Sequence, residues 1–389
     1  MPSAQVRTLS RVLAVLVLLG AGVTMAVTVA ALNVSRTPGD SLVPALAVDR
    51  RGLIHVVWHD NSSGYFEILY SRSSDSGTNF TQGLAISGPG EAQVPAIAVD
   101  QEGFIYVAWE GETAKNRAIF FSRSTNGGAS FEPPANLSES AGDSKLPTIA
   151  AHGRGEVYVA WQDSTGPGRQ ILFRRSSDGG KSFDSARPPA PQAVGTRAPA
   201  IGVEASGAVI VVWQGTVKGS SGIVFVRSTD GGRTFSAPRL LVPGVRERQD
   251  PGVVAADGAI YLVWRDHVAG LWQILFARSI DGGQTFTPPL NVSRTPGLAN
   301  APAIAANGRK RIAVAWQDDR TGTPQIFMAR SADGGVTFSP PTNVSRTSGF
   351  AHIPSLAAGR NRTFLVWHDN SPGNFEILFL TLPEVADQP

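Results

Sequence analysis

The sequence predicts an all-β fold: a seven-bladed propeller of four-stranded blades, closed by the N-terminal strand completing the last blade. Three observations carry this. A turn motif recurs six times, as SSDSGTNF (73–80), STNGGASF (124–131), SSDGGKSF (176–183), STDGGRTF (228–235), SIDGGQTF (279–286) and SADGGVTF (331–338), at a spacing of 51 or 52 residues. Seven proline-led apolar runs begin at Pro44, Pro95, Pro147, Pro199, Pro251, Pro302 and Pro354, and seven further runs end in Trp58, Trp109, Trp161, Trp213, Trp264, Trp316 and Trp367. A fixed period of this size, with four short β-rich runs in each unit, is the signature of a propeller blade.

Each element follows from its residue types. Strand A follows the proline and strand B ends at the tryptophan. Strand C is the run before the turn motif, such as Ile274–Arg278, and strand D is the run after it, such as Asn291-Val292-Ser293. Between C and D, the carboxylate of Asp281 accepts backbone N–H groups two or three residues on, while Gly282 and Gly283 take positive φ at no steric cost. The seventh unit has strands A, B and C and ends at NFEILFLTL (374–382). Its missing strand D is supplied by Asn33-Val34-Ser35-Arg36-Thr37, which repeats Asn291–Thr295 and Asn343–Thr347. Closing the ring with the first strand leaves no open edge there, and it explains why a seventh turn motif is absent.

The six turns resemble the Asp box, Ser-x-Asp-x-Gly-x-x-(Trp/Phe), of the sialidase-like BNR-repeat propellers; Asn126 replaces the aspartate in one of them. The resemblance extends over nearly the whole chain after residue 31. It implies a glycan-directed protein. For a sialidase it implies an arginine triad, a tyrosine nucleophile with a glutamate partner, and an aspartate acid. The nearest counterpart of the family's Arg-Ile-Pro is Arg197-Ala198-Pro199. Known sialidases have six blades, and this sequence counts seven. Of the five tyrosines, Tyr106, Tyr158 and Tyr261 share one strand-B position, Tyr70 lies in strand C, and Tyr65 alone falls on a mouth-side loop. No complete catalytic set is legible, so the reading leans to binding, with hydrolysis of an acidic sugar as the alternative. A structural subunit of a cell-envelope assembly is the second alternative.

Residues 1–31 read as an export signal or N-terminal membrane anchor, with the propeller spanning 32–389. Positions 12–31 are uncharged and long enough to span a bilayer, and Arg7 and Arg11 before them place the rest of the chain outside. The chain has no cysteine. Its 34 Lys and Arg include those two arginines, so the remainder balances the 31 acids. No basic run marks a nucleic-acid face, and no cofactor or metal site is expected. The pair His59 and His368, in neighbouring blades, is too little for a metal.

Repetition separates structure from function. The tryptophans, the Asp of Trp-x-Asp, and the arginines before each turn (Arg72, Arg123, Arg175, Arg227, Arg278, Arg330) recur blade by blade and belong to packing. Seven N-x-S/T sequons follow the repeat in the same way. The positions two before each strand-A proline vary: Leu42, Gln93, Lys145, Arg197, Gln249, Asn300 and His352. They enter the face opposite the glycine turns. This mouth is the expected site for a glycan or protein ligand, with Lys145, Arg197 and Arg248 converging on an anion.

Overall fold

The computed structural model describes residues 31–166, 168–241 and 248–383. Among these residues it contains strands and no helices. Seven antiparallel sheets are arranged as consecutive blades. In blade 1 the strands are A (Ser41–Val48), B (Ile54–Asp60), C (Glu67–Ser73) and D (Leu84–Ala85). Strand A of blade 1 lies against that of blade 7 as well as that of blade 2, with the Leu46 N–H donating to Ser355 Oγ at 3.3 Å. The ring is therefore closed. In blade 7 the outermost strand is Leu32–Asn33, paired to Glu376–Pro383 through Leu32–Phe379 and Asn33–Leu378. Blade 3 departs from the four-strand rule. Its fourth strand shrinks to one bridge, Phe173–Arg187, because Pro188 and Pro189 follow at once and offer no N–H to extend the ladder.

The core is divided among the interfaces between blades. Seven apolar clusters are found among the described residues, each drawing on two adjacent blades. The seven repeated tryptophans are fully buried in them; Trp58, for example, sits with Phe364, Val366 and Phe379 between blades 7 and 1. Cohesion of this kind is a sum of nearest-neighbour terms, so each blade depends on both its neighbours.

Polar ties of two kinds reinforce these boundaries. On the glycine-turn side, the arginine before a turn donates to a carbonyl in the next blade: Arg123 to Gly179 at 2.6 Å, Arg175 to Gly231 at 3.1 Å, Arg278 to Gly334 at 2.7 Å, and Arg72 to Gly127. Arg227 instead pairs with Glu204 at 2.6 Å in its own blade. On the mouth side, the threonine after strand D donates to the buried Trp-x-Asp carboxylate of the next blade. These bonds are Thr37 to Asp60 (2.7 Å), Thr295 to Asp318 (2.8 Å) and Thr347 to Asp369 (2.6 Å). The same aspartates cap the B–C loops, as when Asp60 accepts the Ser62 N–H at 2.9 Å.

The glycine turns are built locally. Ser279 Oγ donates to Asp281 at 2.6 Å and accepts the Gly283 N–H at 2.8 Å, while Asp281 accepts the Thr285 N–H at 3.0 Å. In the first turn, the backbone and side-chain amides of Asn79 and the Ser73 hydroxyl hold the Asp75 carboxyl down to about 2. Gly283 has φ 82°, and a Cβ there would sit 2.5 Å from the Phe225 ring of the preceding blade. Gly283→Ala is thus expected to destabilise the protein by about 1–3 kcal/mol, read as a lower urea midpoint with unchanged slope.

Candidate functional site

The mouth is built from one repeated backbone device. In every blade the register of strands A and B slips just before the strand-A proline. The residue preceding that proline is left-handed each time: Val43, Val94, Leu146, Ala198, Asp250, Ala301 and Ile353, with φ between 46° and 53°. Positive φ is costly for β-branched residues such as Val43, Val94 and Ile353, and a bulge re-aims the side chain beside it. Recurrence in all seven blades makes the bulge architectural. What varies is the side chain it presents.

The varying residues form two tiers. The inner tier is the expected set, Leu42, Gln93, Lys145, Arg197, Gln249, Asn300 and His352. Each lies opposite the middle residue of Trp-x-Asp or its counterpart. The partners are His59, Glu110, Gln162, Gln214, Arg265, Gln317 and His368. This second tier was not singled out from sequence, apart from the two histidines. Its signal was there: the position varies between two residues that repeat.

Most of the inner tier is already engaged. Lys145 is tied to Asp143 at 3.0 Å. Gln93 accepts from Arg117 at 3.5 Å. Gln249 and Asn300 both accept from Arg265, whose guanidinium also meets Asp250 at 3.3 Å and lies 4.4 Å from the centroid of the Trp272 ring. Arg197 is exposed, and no hydrogen bond or ion pair holds it among the described residues. Arg248 opens strand A of blade 5 opposite Asp266; its side chain lies outside the described residues. Of the three cations expected to converge, Arg197 is open and Lys145 is paired with Asp143.

The two tiers differ around the ring. At blades 7, 1 and 2 the second tier accepts the N–H of the next blade's left-handed residue. Val43 donates to His368 Nδ1 at 3.3 Å, Val94 to His59 Nδ1 at 3.2 Å, and Leu146 to Glu110 at 2.7 Å. These three side chains are buried. Burial holds the His59 imidazole down to about 4 and that of His368 down to about 3, with His352 and His59 adding to the latter. Both are neutral acceptors. Burial pushes the Glu110 carboxyl up, against the Leu146 N–H and Arg117. Aromatic rings surround the histidines: Phe66 beside His59 at 4.9 Å, Phe375 beside His368 at 5.4 Å. Among the described residues no three His, Asp or Glu side chains are arranged to hold a metal.

At blades 4 and 5 the B–C connections are ladders paired to the tip, closing on Lys218-Gly219 and Ala269-Gly270. Both residues of each turn have positive φ, the two-residue hairpin geometry whose twist matches the strands. The blade 5 hairpin carries Arg265 and Trp272 on one side of the mouth. Of the tyrosines, Tyr70, Tyr106, Tyr158 and Tyr261 are buried, and Tyr65 is half-buried on the blade 1 loop.

No protein-family model matches the chain, and no curated protein matches it in sequence. Solved structures match its fold. A protein of unknown function from Dyadobacter fermentans aligns with TM-score 0.61 and 18% identity, over 92% of this chain and 99% of that one. An ulvan lyase, described as a new family of polysaccharide lyase and bound to a GlcA(1-4)Rha3S unit, aligns with TM-score 0.64 and 12% identity, over 91% and 94%. The NanB sialidase from Streptococcus pneumoniae aligns with TM-score 0.48 and 12% identity, over 92% and 70%. At identities this low, the first two matches show a shared fold and nothing finer.

Proposed function

We propose that this propeller binds an acidic glycan at the mouth of its channel. The observation that carries the reading is Arg197. It stands at a variable position of the blade, it is exposed on the mouth side, and it has no partner among the described residues. A free guanidinium offers a paired donor fork to a carboxylate or sulfate. Polar side chains of blades 2, 3, 5 and 6 surround the channel, and the aromatic residues Trp272 and Phe66 stand on the same face. That neighbours of this fold include a lyase bound to an acidic sugar unit supports the choice of ligand class and leaves the activity open.

The expected result is retention of uronate- or sulfate-bearing glycans from an array probed with the full chain, scored for cleavage as well as binding. Arg197→Ala is expected to weaken that binding about tenfold or more, since a hydrogen bond to a charged group contributes ~1.5–3 kcal/mol. Lys145→Ala, which removes a cation already paired with Asp143, has the smaller effect. Unchanged binding by Arg197→Ala places the site elsewhere. Cleavage of the retained glycan turns the reading into a lyase or hydrolase.

We also propose that residues 12–31 export the propeller and tether it when uncleaved. Positions 12–30 lie outside the described residues; among the described residues no helix is long and apolar enough to cross a membrane. Intact mass of the native protein decides between cleavage and retention.

A further inference from the structure

The position four before the strand-A proline forms an outer rim to the mouth. In blade 1 it is Asp40, which accepts the Phe375 N–H of blade 7 at 3.0 Å. In blade 3 it is Asp143, which accepts the Arg117 N–H of blade 2 at 3.1 Å. The carboxylate here caps the start of the preceding blade's strand C. In blades 6 and 7 the same position holds Leu298 and Phe350, 41% and 46% exposed. At blade 7 the structural duty has vanished, because the residue to be capped is Pro324, which has no N–H; Ala351 reaches its carbonyl at 2.9 Å. A position released from duty can be filled by any small polar residue. A single exposed ring is ordinary on a surface; it marks a contact site only where it belongs to a cluster.

The surroundings supply one. Phe350 stacks parallel to His352, with centroids 6.4 Å apart and planes 4° apart, and His352 in turn meets Phe375 and His368. Ile353, 36% exposed, adds to the patch. Three part-exposed side chains fall well short of the ~1,000 Å² that a stable protein interface buries. They match the apolar face of a single ring flanked by a hydrogen-bonding group, here His352.

Building on the glycan reading, we infer that Phe350 and His352 form a stacking subsite for an uncharged pyranose ring of the same acidic glycan. Blade 7 lies three blades from blade 4 around the ring of seven. A ligand whose acid group sits at Arg197 must therefore be longer than a disaccharide to reach the subsite. No charged side chain is part of the platform, so the ring stacked there is a neutral one.

The test uses the full chain and defined oligosaccharides alternating glucuronate with a neutral sugar, from two to eight rings. Phe350→Ala is expected to weaken binding of the longer members about tenfold and to leave the disaccharide unchanged. Arg197→Ala weakens every member. If Arg197→Ala acts and Phe350→Ala does not, or if Phe350→Ala weakens all lengths alike, the subsite is wrong and the glycan reading stands. If Arg197→Ala has no effect on any member, the glycan reading itself fails. Sedimentation of the unliganded protein checks the other occupant: a dimer lost on Phe350→Ala assigns the patch to a second copy and overturns the subsite. Because Phe350 is nearly half exposed, its truncation leaves the melting temperature within a few degrees, which separates lost binding from lost folding.

Discussion

Removing residues 31–37 is expected to lower the melting temperature by about 5 °C or more. The short strand Leu32–Asn33 does more than add two backbone pairs. Val34 is buried in the cluster between blades 7 and 1, and its N–H donates to the Ile377 carbonyl at 2.7 Å. Ser35 Oγ accepts the Ile377 N–H at 2.8 Å and donates to the buried carboxylate of Glu376. Thr37 ties the blade to Asp60. Burying a valine contributes ~1.5–3 kcal/mol, and leaving a buried carboxylate without its hydroxyl donor costs ~1–3 kcal/mol. At ~1.4 °C per kcal/mol in a domain of about 350 residues, these terms reach the stated drop. The register supplies its own control. The position of Glu376 is Gln273 in blade 5 and Gln325 in blade 6, where each amide oxygen accepts from the corresponding serine, at 2.9 Å and 2.8 Å. Glu376→Gln should therefore be tolerated in the whole chain and should recover part of the loss in the shortened one. A shortened chain that melts like the whole one contradicts closure by the first strand.

Lowering the pH from 6.5 to 4 is expected to erode stability steeply, through histidines rather than carboxylates. His55, His59 and His368 are held neutral by burial, at about 4, 4 and 3. Nearby Asp49 and Asp60 oppose this at His55 and His59; Arg72 and Arg51 add to it at His55, and His352 and His59 at His368. In the unfolded chain each takes a proton near 6.5. The unfolded state then binds more protons than the folded one throughout this window, so stability falls as the pH falls. The loss is on the order of 3 kcal/mol per histidine at pH 4. Glu110, raised by burial, acts in the opposite direction. The turn carboxylates Asp75, Asp178 and Asp333, held at about 2, contribute stability that is lost only below their unfolded range near 3.8. Glutamine fills the His59 and His368 position in blades 3, 4 and 6. The double variant His59→Gln, His368→Gln should thus fold and show a flatter dependence between pH 6.5 and 4. An unaltered slope assigns acid sensitivity to other groups.

The blade count, the closure and the role of the turns were legible because each rests on local or repeated information. The turn bonds run from Ser279 and Asp281 to residues no more than four positions away, so they are visible in an eight-residue string. The repeated Asn-Val-Ser-Arg-Thr run identified the first strand as the last blade's missing edge. Repetition also marked the arginines before the turns as structural. Their acceptors were hidden, since Arg123 finds Gly179 only when the next blade docks.

By itself, then, the sequence determined the propeller, its seven blades and which face carries the variable side chains, since period, proline position and strand alternation act within single blades. Tertiary structure decided which of those side chains are free. Lys145 and Arg197 look alike in sequence, and only the fold shows one paired with Asp143 and the other open. Gln249 and Asn300 are joined through Arg265, a residue hidden between a repeated tryptophan and a repeated aspartate. Phe350 reads as one more loop residue until blade 6 places Pro324 beside it. The physical reason is that occupancy of a hydrogen bond or exposure of a ring depends on which groups folding sets side by side: Asp143 against Lys145 within one blade, Arg265 against Gln249 across a strand pair and against Asn300 of the next blade, and Pro324 of blade 6 beside Phe350.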